Sequence, residues 1–231
     1  MDNNGLSFPD IIDKFFRVMG SGQAYLNSLY LLLSFPLGIF YFIFLVTGLS
    51  VGIPLLIIWV GIPILLLVFA GWWLLAAFER QMTMHWLKED IAPMTKPQLE
   101  DSDPWTRFKD YFLNPVTWKG LLYLFLKFPL GIFSFVVLIT LTSLTVSFLA
   151  MPVLYQAFTA FTPEIYFGGG AVWYVDSIND ALMATMIGVF LWPVTLHAIN
   201  GVTWLHAKLA KYLLSMDWPG KPALIEGQAE A

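Results

Sequence analysis

The chain has 231 residues, of which 58% are hydrophobic and 12% are charged, and its formal net charge is −4. A soluble domain carries about 25% charged residues, so the composition indicates a membrane protein. The absence of cysteine excludes disulfides, thiolate metal sites and a thiol nucleophile. No basic stripe suggests a nucleic-acid partner.

The first predicted element is an amphipathic helix near the N-terminus, ended by a glycine hinge at 20–22. Its apolar residues recur at helical spacing, at Phe8, Ile11, Ile12, Phe15, Phe16 and Met19. Ser7 is placed to cap this helix, with Asp10 as its capping partner. We expect such a helix to lie in the headgroup plane, which makes residues 1–23 an interfacial segment.

Four segments are apolar and long enough to cross a bilayer, which needs about 20 residues. They are 26–48, 51–78, 118–141 and 181–206. The stretch 143–161 could form a fifth span, but we interpret it as an extracytoplasmic or re-entrant element. The outer loop 162–180 carries only acidic charges, and the Pro/Gly-rich tail 215–231 is predicted to be disordered.

All twelve Lys and Arg residues fall within three zones, at 14–17, 80–127 and 208–221. Positive residues that flank spans remain cytoplasmic. The N-terminus, the central loop and the C-terminus are therefore predicted to lie inside, which requires an even number of crossings.

An internal repeat divides the chain into two parts. Residues 29–40, LYLLLSFPLGIF, return at 122–133 as LYLFLKFPLGIF, with ten of twelve positions identical. We therefore predict an all-α membrane protein whose four transmembrane helices form two parallel-topology hairpins, each preceded by an interfacial amphipathic helix. The repeats span about 8–90 and 101–214 within a membrane domain at 24–214, and the second amphipathic helix includes Trp105, Phe108 and Phe112.

The shared PLGIF element is a candidate packing or hinge site at Pro36, Gly38, Pro129 and Gly131. A proline removes one helical hydrogen bond, and a glycine lets a neighbouring backbone approach closely. Two kinked helices packed about a pseudo-axis are the favoured interpretation. A hinge that transmits a change across the bilayer is the alternative.

His197 and Asn200 form a candidate intramembrane polar site, because residues three apart share one face of a helix. Ionisable residues within spans are uncommon and suggest function. We favour a packed, hydrogen-bonded pair over a proton or ligand site. His85 and His206 are expected to be solvated at the inner surface, and no histidine spacing supports a metal site or a cofactor.

Two further groups lie at the predicted membrane surfaces. Glu79 and Arg80 end the second span and form a candidate inner-surface relay, with Arg80 most simply a snorkelling anchor and a salt bridge the alternative. At the outer surface, three glycines are flanked by the aromatic residues Tyr166, Trp173 and Tyr174. An interfacial aromatic belt is favoured there, and recognition of a lipid, peptide or small ligand is the alternative.

These features resemble the putative sensor domain family of prokaryotes, which occurs fused to histidine kinases or as stand-alone proteins. The resembling segments are the two PLGIF elements, TGLSVGIPLLIIWVGIPILLL at 47–67, the exit Phe78-Glu79-Arg80, and TWLHAKLAKYLL at 203–214. The resemblance covers roughly residues 24–214 and implies a multi-pass protein of the prokaryotic cytoplasmic membrane. Its motifs are hydrophobic and carry no catalytic signature.

The leading functional hypothesis is a stand-alone sensory or regulatory module that relays envelope, lipid or ligand state to a separate partner protein. The expected partners are membrane lipid and a kinase, regulator, permease or complex subunit, with a homo-oligomer also open. A structural subunit of a larger membrane complex is the alternative, and a small transporter is a weaker one. We expect no enzymatic activity, because no nucleophile–base pair or metal set can be assembled from the sequence.

Overall fold

The structure, a computed structural model, describes residues 8–94, 113–157, 163–166 and 169–215. The described residues form six α-helices: α1 (Phe8–Arg17), α2 (Gly22–Gly52), α3 (Gly61–Leu87), α4 (Pro115–Leu149), α5 (Met151–Ala157) and α6 (Ile178–Leu214). Short 3-10 helices follow α1 at Val18–Gly20 and α2 at Pro54–Ile58. Strands β1 (Glu164–Tyr166) and β2 (Val172–Tyr174) pair in antiparallel fashion, with Ile165 opposite Trp173.

Four helices of the described residues, α2, α3, α4 and α6, are long and apolar enough to cross a membrane. The predicted all-α membrane fold with four spans is therefore confirmed. The arrangement of these helices as two parallel repeated hairpins stays a prediction.

The predicted start of the second span, within 51–78, is wrong. The chain reverses direction between Gly52 and Gly61, so the residues after Gly52 form a connection instead of a span. Pro54 has no N–H to continue an α-helix and begins a 3-10 helix, which Trp59 ends in the left-handed conformation at φ 64°. Helix α3 then continues to Leu87, beyond the predicted end.

The predicted third span, 118–141, is too short. Helix α4 continues without interruption to Leu149, so 143–149 belongs to this helix and does not start a separate element. Hydroxyl residues such as Thr145 are compatible with a helix interior because they can bond to neighbouring groups. The rest of the 143–161 stretch forms α5 as far as Ala157, and 158–162 lies outside the described residues.

The chain forms two compact units, each of which combines segments from both predicted repeats. The first unit comprises Met1–Pro36 and Leu130–Trp204, and the second comprises Leu37–Pro129 and Leu205–Ala231. In the first unit, one apolar cluster joins Val18, Ala24 and Leu196, and another contains Met151, Val175, Ala181 and Ala184. The second unit has a larger core that includes Tyr41, Leu45, Trp72, Ala76, Tyr123, Leu124 and Leu213.

Helix α1 covers the predicted N-terminal amphipathic segment and packs on α6 within the first unit. The ring of Phe16 meets that of Phe190 at 5.8 Å, and Phe15 stacks on His197 at 5.5 Å. The predicted cap Ser7, the second amphipathic segment with Trp105, Phe108 and Phe112, and the tail from 216 onward lie outside the described residues.

Candidate functional site

Helix α3 has one buried stripe, and a carboxylate belongs to it. Its buried residues are Gly61, Val68, Trp72, Ala76, Glu79 and Thr83. The spacings of three, four and seven residues place these side chains on a single helical face. Glu79 therefore points into the second unit and not toward lipid or water.

The Glu79 carboxylate binds three side chains from two other helices of this unit. Tyr41 of α2 donates its hydroxyl to Oε1 at 2.9 Å, and Tyr123 of α4 donates to Oε2 at 3.0 Å. Lys127, one turn beyond Tyr123, donates its ammonium Nζ to Oε2 at 2.8 Å and forms an ion pair. The four residues are 0–1% exposed.

The arrangement compensates part of the cost of burying two charges. An isolated buried charge is strongly disfavoured, whereas a hydrogen-bonded pair is tolerated. The carboxylate accepts charge-assisted hydrogen bonds, which are about twice as strong as neutral ones. Nζ of Lys127 also lies 5.8 Å from the ring centre of Tyr123, within the range of a cation–π contact. Breaking any of these contacts leaves a buried charge poorly satisfied.

Two other buried polar groups on the same stripe of α3 have no hydrogen-bond partner among the described residues. They are Trp72 Nε1 and Thr83 Oγ1. Thr83 lies one turn after Glu79, and Trp72 lies two turns before it. Buried polar atoms without partners are rare in native structures, and each requires an explanation.

Arg80, next to Glu79, binds the segment that follows α3. Its guanidinium donates to the backbone carbonyl of Ile91 at 2.5 Å through Nη2 and to that of Ala92 at 3.0 Å through Nε. Ile91 and Met94 are buried in the core of the second unit, and Asn114 donates its Nδ2 to the carbonyl of Met94 at 3.3 Å. Arg80 thus fixes a folded segment, a role more specific than the predicted snorkelling anchor.

Glu89 in this segment connects it to α6. Its Oε1 accepts hydrogen bonds from Lys208 Nζ and Lys211 Nζ, both at 3.1 Å. These two hydrogen bonds, followed by the attraction of the ammonium charges, lower the pKa of the Glu89 carboxyl from its ordinary value of 4.5. The segment 88–94 is therefore attached to α3 by Arg80, to α6 by Glu89 and to the start of α4 by Asn114.

Both copies of the PLGIF element lie in uninterrupted helices and approach another backbone closely. Pro36 lies inside α2, and Pro129 lies inside α4. In the second unit, a Cβ added to Gly38 would come within 2.7 Å of the Lys127 carbonyl oxygen. In the first unit, a Cβ added to Gly131 would come within 2.7 Å of the Ser34 carbonyl oxygen. Each glycine thus packs on the residue two places before the proline of the other copy.

The structure does not bring His197 and Asn200 together as one site. Nε2 of His197, whose side chain is exposed, lies 3.3 Å from the backbone oxygen of Phe15 in α1. Asn200 instead accepts a hydrogen bond at 2.8 Å from Asn27 at the start of α2. The two residues share one face of α6, as their spacing predicted. However, His197 contacts α1 and Asn200 contacts α2.

The expectation that both His85 and His206 are solvated is half wrong. His85 is exposed, but His206 is 1% exposed. The last turns of α6 pack into the core of the second unit through Ala210, Leu213 and Leu214, so the face that carries His206 is covered. Among the described residues, no group of histidine and acidic side chains could hold a metal ion.

The outer aromatic candidates lie on the β-hairpin of the first unit. Tyr166 and Tyr174 are exposed, whereas Trp173 is half-buried and packs with Tyr155 and Ile165 around the Met151 cluster. The Tyr166 hydroxyl donates to Glu164, and this hydrogen bond, together with the negative charge of Glu164, raises the pKa of Tyr166. Trp173 thus has a packing role, and the two tyrosines remain available to bind.

The buried ion pair of Lys127 was not predicted, because this residue was counted among the positive charges that flank the spans. Two signals could have found it. Lys127 lies ten residues into the predicted third span, and it replaces Ser34 of the first copy in an otherwise apolar and nearly identical motif. A charge this far inside a span predicts a partner of opposite charge on another span, and Glu79 provides it.

The family model described as "Putative sensor" matches residues 30–214, which include the ion pair, both PLGIF elements and the attached segment 88–94. Searches of curated proteins and of solved structures found no match. The match supports a sensory role in general terms. Because it covers well over half of the chain, the protein belongs to the Putative sensor family.

Proposed function

We propose that this protein is a sensory module of a prokaryotic cytoplasmic membrane, which relays the state of the envelope, its lipid or a ligand to a separate protein. The observation that carries the proposal is the adjacency of Glu79 and Arg80. Glu79 binds side chains of α2 and α4, and Arg80 binds the carbonyls of Ile91 and Ala92. One turn of α3 thus connects the membrane helices to a surface segment.

The relay works through a change in the position of α3. A shift of α2 or α4 displaces the hydroxyl and ammonium donors of Glu79, and α3 follows because an unpaired buried carboxylate is costly. Arg80 moves with it and carries the segment 88–94. Trp72 and Thr83 lack hydrogen-bond partners among the described residues in the present position of α3, so they are the buried polar groups whose bonding such a shift would change.

The partner protein binds at the end of the second unit, where the segment 88–94 and the last turns of α6 form a surface. This surface carries three lysines against the acidic Glu89 and Asp90, with Lys88 exposed and Lys208 and Lys211 about half exposed. Positive charge at the end of a span favours the cytoplasmic side. A kinase, response regulator or permease in the cytoplasm or the membrane is the partner class that this orientation admits.

The proposal is tested by site-specific photo-crosslinking in the membranes of the native host. A photoreactive amino acid replaces Asp90, which is exposed, and the matched control replaces exposed Ala171 on the β-hairpin. A defined adduct with a regulatory protein at 90 but not at 171 is expected. A second requirement is that Arg80→Gln weakens this adduct.

Two other results would contradict the relay. Adducts with several subunits of one stable assembly at both positions would make the protein a structural subunit. The absence of any adduct at 90, with normal expression, would show that this surface has no partner.

The buried pair of Glu79 and Lys127 also keeps a transporter as a second candidate function. Charged pairs within membrane helices are a common feature of proton and ion pathways. The test is proton or solute flux in vesicles that contain the purified protein, with the Glu79→Gln, Lys127→Met double variant as the control. Flux that the double variant abolishes would favour transport over relay.

A further inference from the structure

The connection between α2 and α3, residues 53–60, has a composition unlike that of a loop in water. We name it the α2–α3 turn. Its sequence, IPLLIIWV, contains no charged side chain, amide or hydroxyl, and the indole of Trp59 provides its single polar side-chain group. Its side chains are nevertheless well exposed, with Ile57 at 86%, Trp59 at 77% and Ile58 at 60%. Turns in water are normally rich in Gly, Pro, Asn, Asp and Ser.

Backbone N–H groups at both ends and in the middle of the turn have hydrogen-bond partners within three or four residues. Backbone N–H groups donate from Ile53 to Leu49 at 3.0 Å, from Leu56 to Ile53 at 3.2 Å, from Trp59 to Leu56 at 3.1 Å and from Ile62 to Trp59 at 3.3 Å. Pro54 and Pro63 have no N–H to satisfy. Irregular backbone at membrane depth is tolerated only where its polar groups have partners, and this turn meets that requirement at these positions.

Trp59 adopts a strained conformation that presents its ring outward. Its φ is 64°, in the left-handed region that bulky residues rarely occupy. The chain closes tightly here, because a Cβ on Gly61 would clash with the backbone of Gly52 and Leu56. Tryptophan combines a large apolar surface with one N–H donor, and it is enriched where the acyl chains meet the headgroups.

We propose that the α2–α3 turn is inserted into one leaflet of the bilayer, with Ile57 and Ile58 among the acyl chains and Trp59 at the headgroup boundary. The occupant of this surface is lipid. Exposed apolar side chains continue from the turn into both flanking helices, at Val51 and Ile62, so the turn extends the lipid-facing surface of the spans. The connection that contains the β-hairpin has a different composition from the α2–α3 turn, since it carries the charged Glu164 and a Gly169-Gly170 turn.

The inference goes beyond the proposed relay, because it concerns the depth of the turn and not signalling. If the turn is inserted, this end of α2 and α3 contacts the lipid of one leaflet directly. The crosslinking test can contradict the relay while the turn is still inserted. Equally, the turn can prove to lie in water while the relay holds.

The test uses nitroxide labels on single cysteines, which is direct because the natural chain contains none. Ile57→Cys is labelled in the full-length protein in phosphatidylethanolamine–phosphatidylglycerol vesicles. Collision with oxygen, which concentrates in lipid, is compared with collision with a water-soluble nickel chelate. Leu67→Cys on the exposed face of α3 provides the lipid reference, and Ala171→Cys provides the water reference.

We expect the oxygen-to-nickel ratio at Ile57 to approach that at Leu67 and to exceed that at Ala171 severalfold. A ratio equal to that at Ala171 would overturn the insertion. Low collision with both reagents would also overturn it, since a second copy of the chain would then cover the turn. Ile58→Cys provides a second labelled position, so that the test can still be decided if the Ile57→Cys variant does not fold or does not label.

Discussion

The two units of this protein bury polar side chains in different ways. The first unit uses neutral pairs, with the buried Thr145 bound to Thr195 at 2.8 Å and the partly buried Asn27 bound to Asn200 at 2.8 Å. The second unit buries a full ion pair, Glu79 and Lys127, with two tyrosines on the carboxylate. Loss of one partner of a neutral hydrogen bond costs little stability. Loss of one partner of a buried ion pair costs much more, because the remaining charge stays buried without a counter-charge.

The difference can be traced to one position of the repeated motif. Ser34 and Lys127 are equivalent in the two copies, and both are buried. Ser34 Oγ has no hydrogen-bond partner among the described residues, whereas Lys127 has the carboxylate of Glu79. The glycines of both copies make the same kind of close backbone contact. The motif therefore specifies helix packing in both units, and one substitution adds the charge to the second.

Lys127→Ser makes the second copy match the first and should have the largest effect. It leaves Glu79 buried without its counter-charge, which costs about 3–5 kcal/mol of stability. The measurement is the midpoint of unfolding by sodium dodecyl sulfate in micelles. Ser34→Ala is the matched control, with little change expected. The Glu79→Gln, Lys127→Met double variant removes both charges and keeps an amide oxygen as acceptor for the tyrosine hydroxyls, so it should recover most of the loss. Failure to recover it would show that the charge pair is not the cause.

Gly38→Ala and Gly131→Ala should destabilise the protein to similar extents, by about 1–3 kcal/mol each, because the added methyl group must displace a backbone. The same unfolding assay measures both. Gly201→Ala in α6 is the control, since a Cβ there meets nothing within 4 Å and alanine favours a helix. Unequal losses at the two glycines would contradict the idea that the motif packs equally in both units.

Tyr123→Phe and Tyr41→Phe should each cost about 1.5–3 kcal/mol, because each removes a hydrogen bond to a buried carboxylate. Thr195→Val in the first unit removes a neutral bond and should cost about 1 kcal/mol. Unfolding midpoints of the three variants measure the difference directly. Equal losses for tyrosine and threonine would contradict the idea that the hydrogen bonds to the Glu79 carboxylate are stronger than the neutral bond in the first unit.

Glu89→Gln should have the smallest effect, at most about 1 kcal/mol, because Glu89 and its two lysines are partly exposed. The pKa of Glu89 is lowered in the folded protein, so its contribution is present above pH 4.5 and is lost as the pH falls through the lowered value. Unfolding of wild type and variant is compared at pH 7 and pH 3, in low and high salt. A difference that persists at pH 3 would indicate packing and not charge.

The membrane fold and its four spans are predictable from the sequence, because they depend on apolar segments about as long as the bilayer is thick. The family is predictable from the motifs quoted above. The sequence also identifies the repeated glycines and prolines, since ten identical residues of twelve stand out in any alignment of the two halves. Helix ends depend less on apolar length. The predicted second span, 51–78, included the GIP segments at 52–54 and 61–63, whereas these segments bound a reversal of the chain.

Which polar residues meet depends on how the helices pack. Glu79 and Lys127 are 48 residues apart, and Arg80 binds the backbone carbonyls of Ile91 and Ala92, which no side-chain pattern marks. His206 is buried because of what packs on the end of α6, and His197 and Asn200 are separated because α1 and α2 contact different sides of their helix. Apolar length is a local property, but pairing depends on which helix faces become neighbours, and hydrophobic periodicity alone does not distinguish among them.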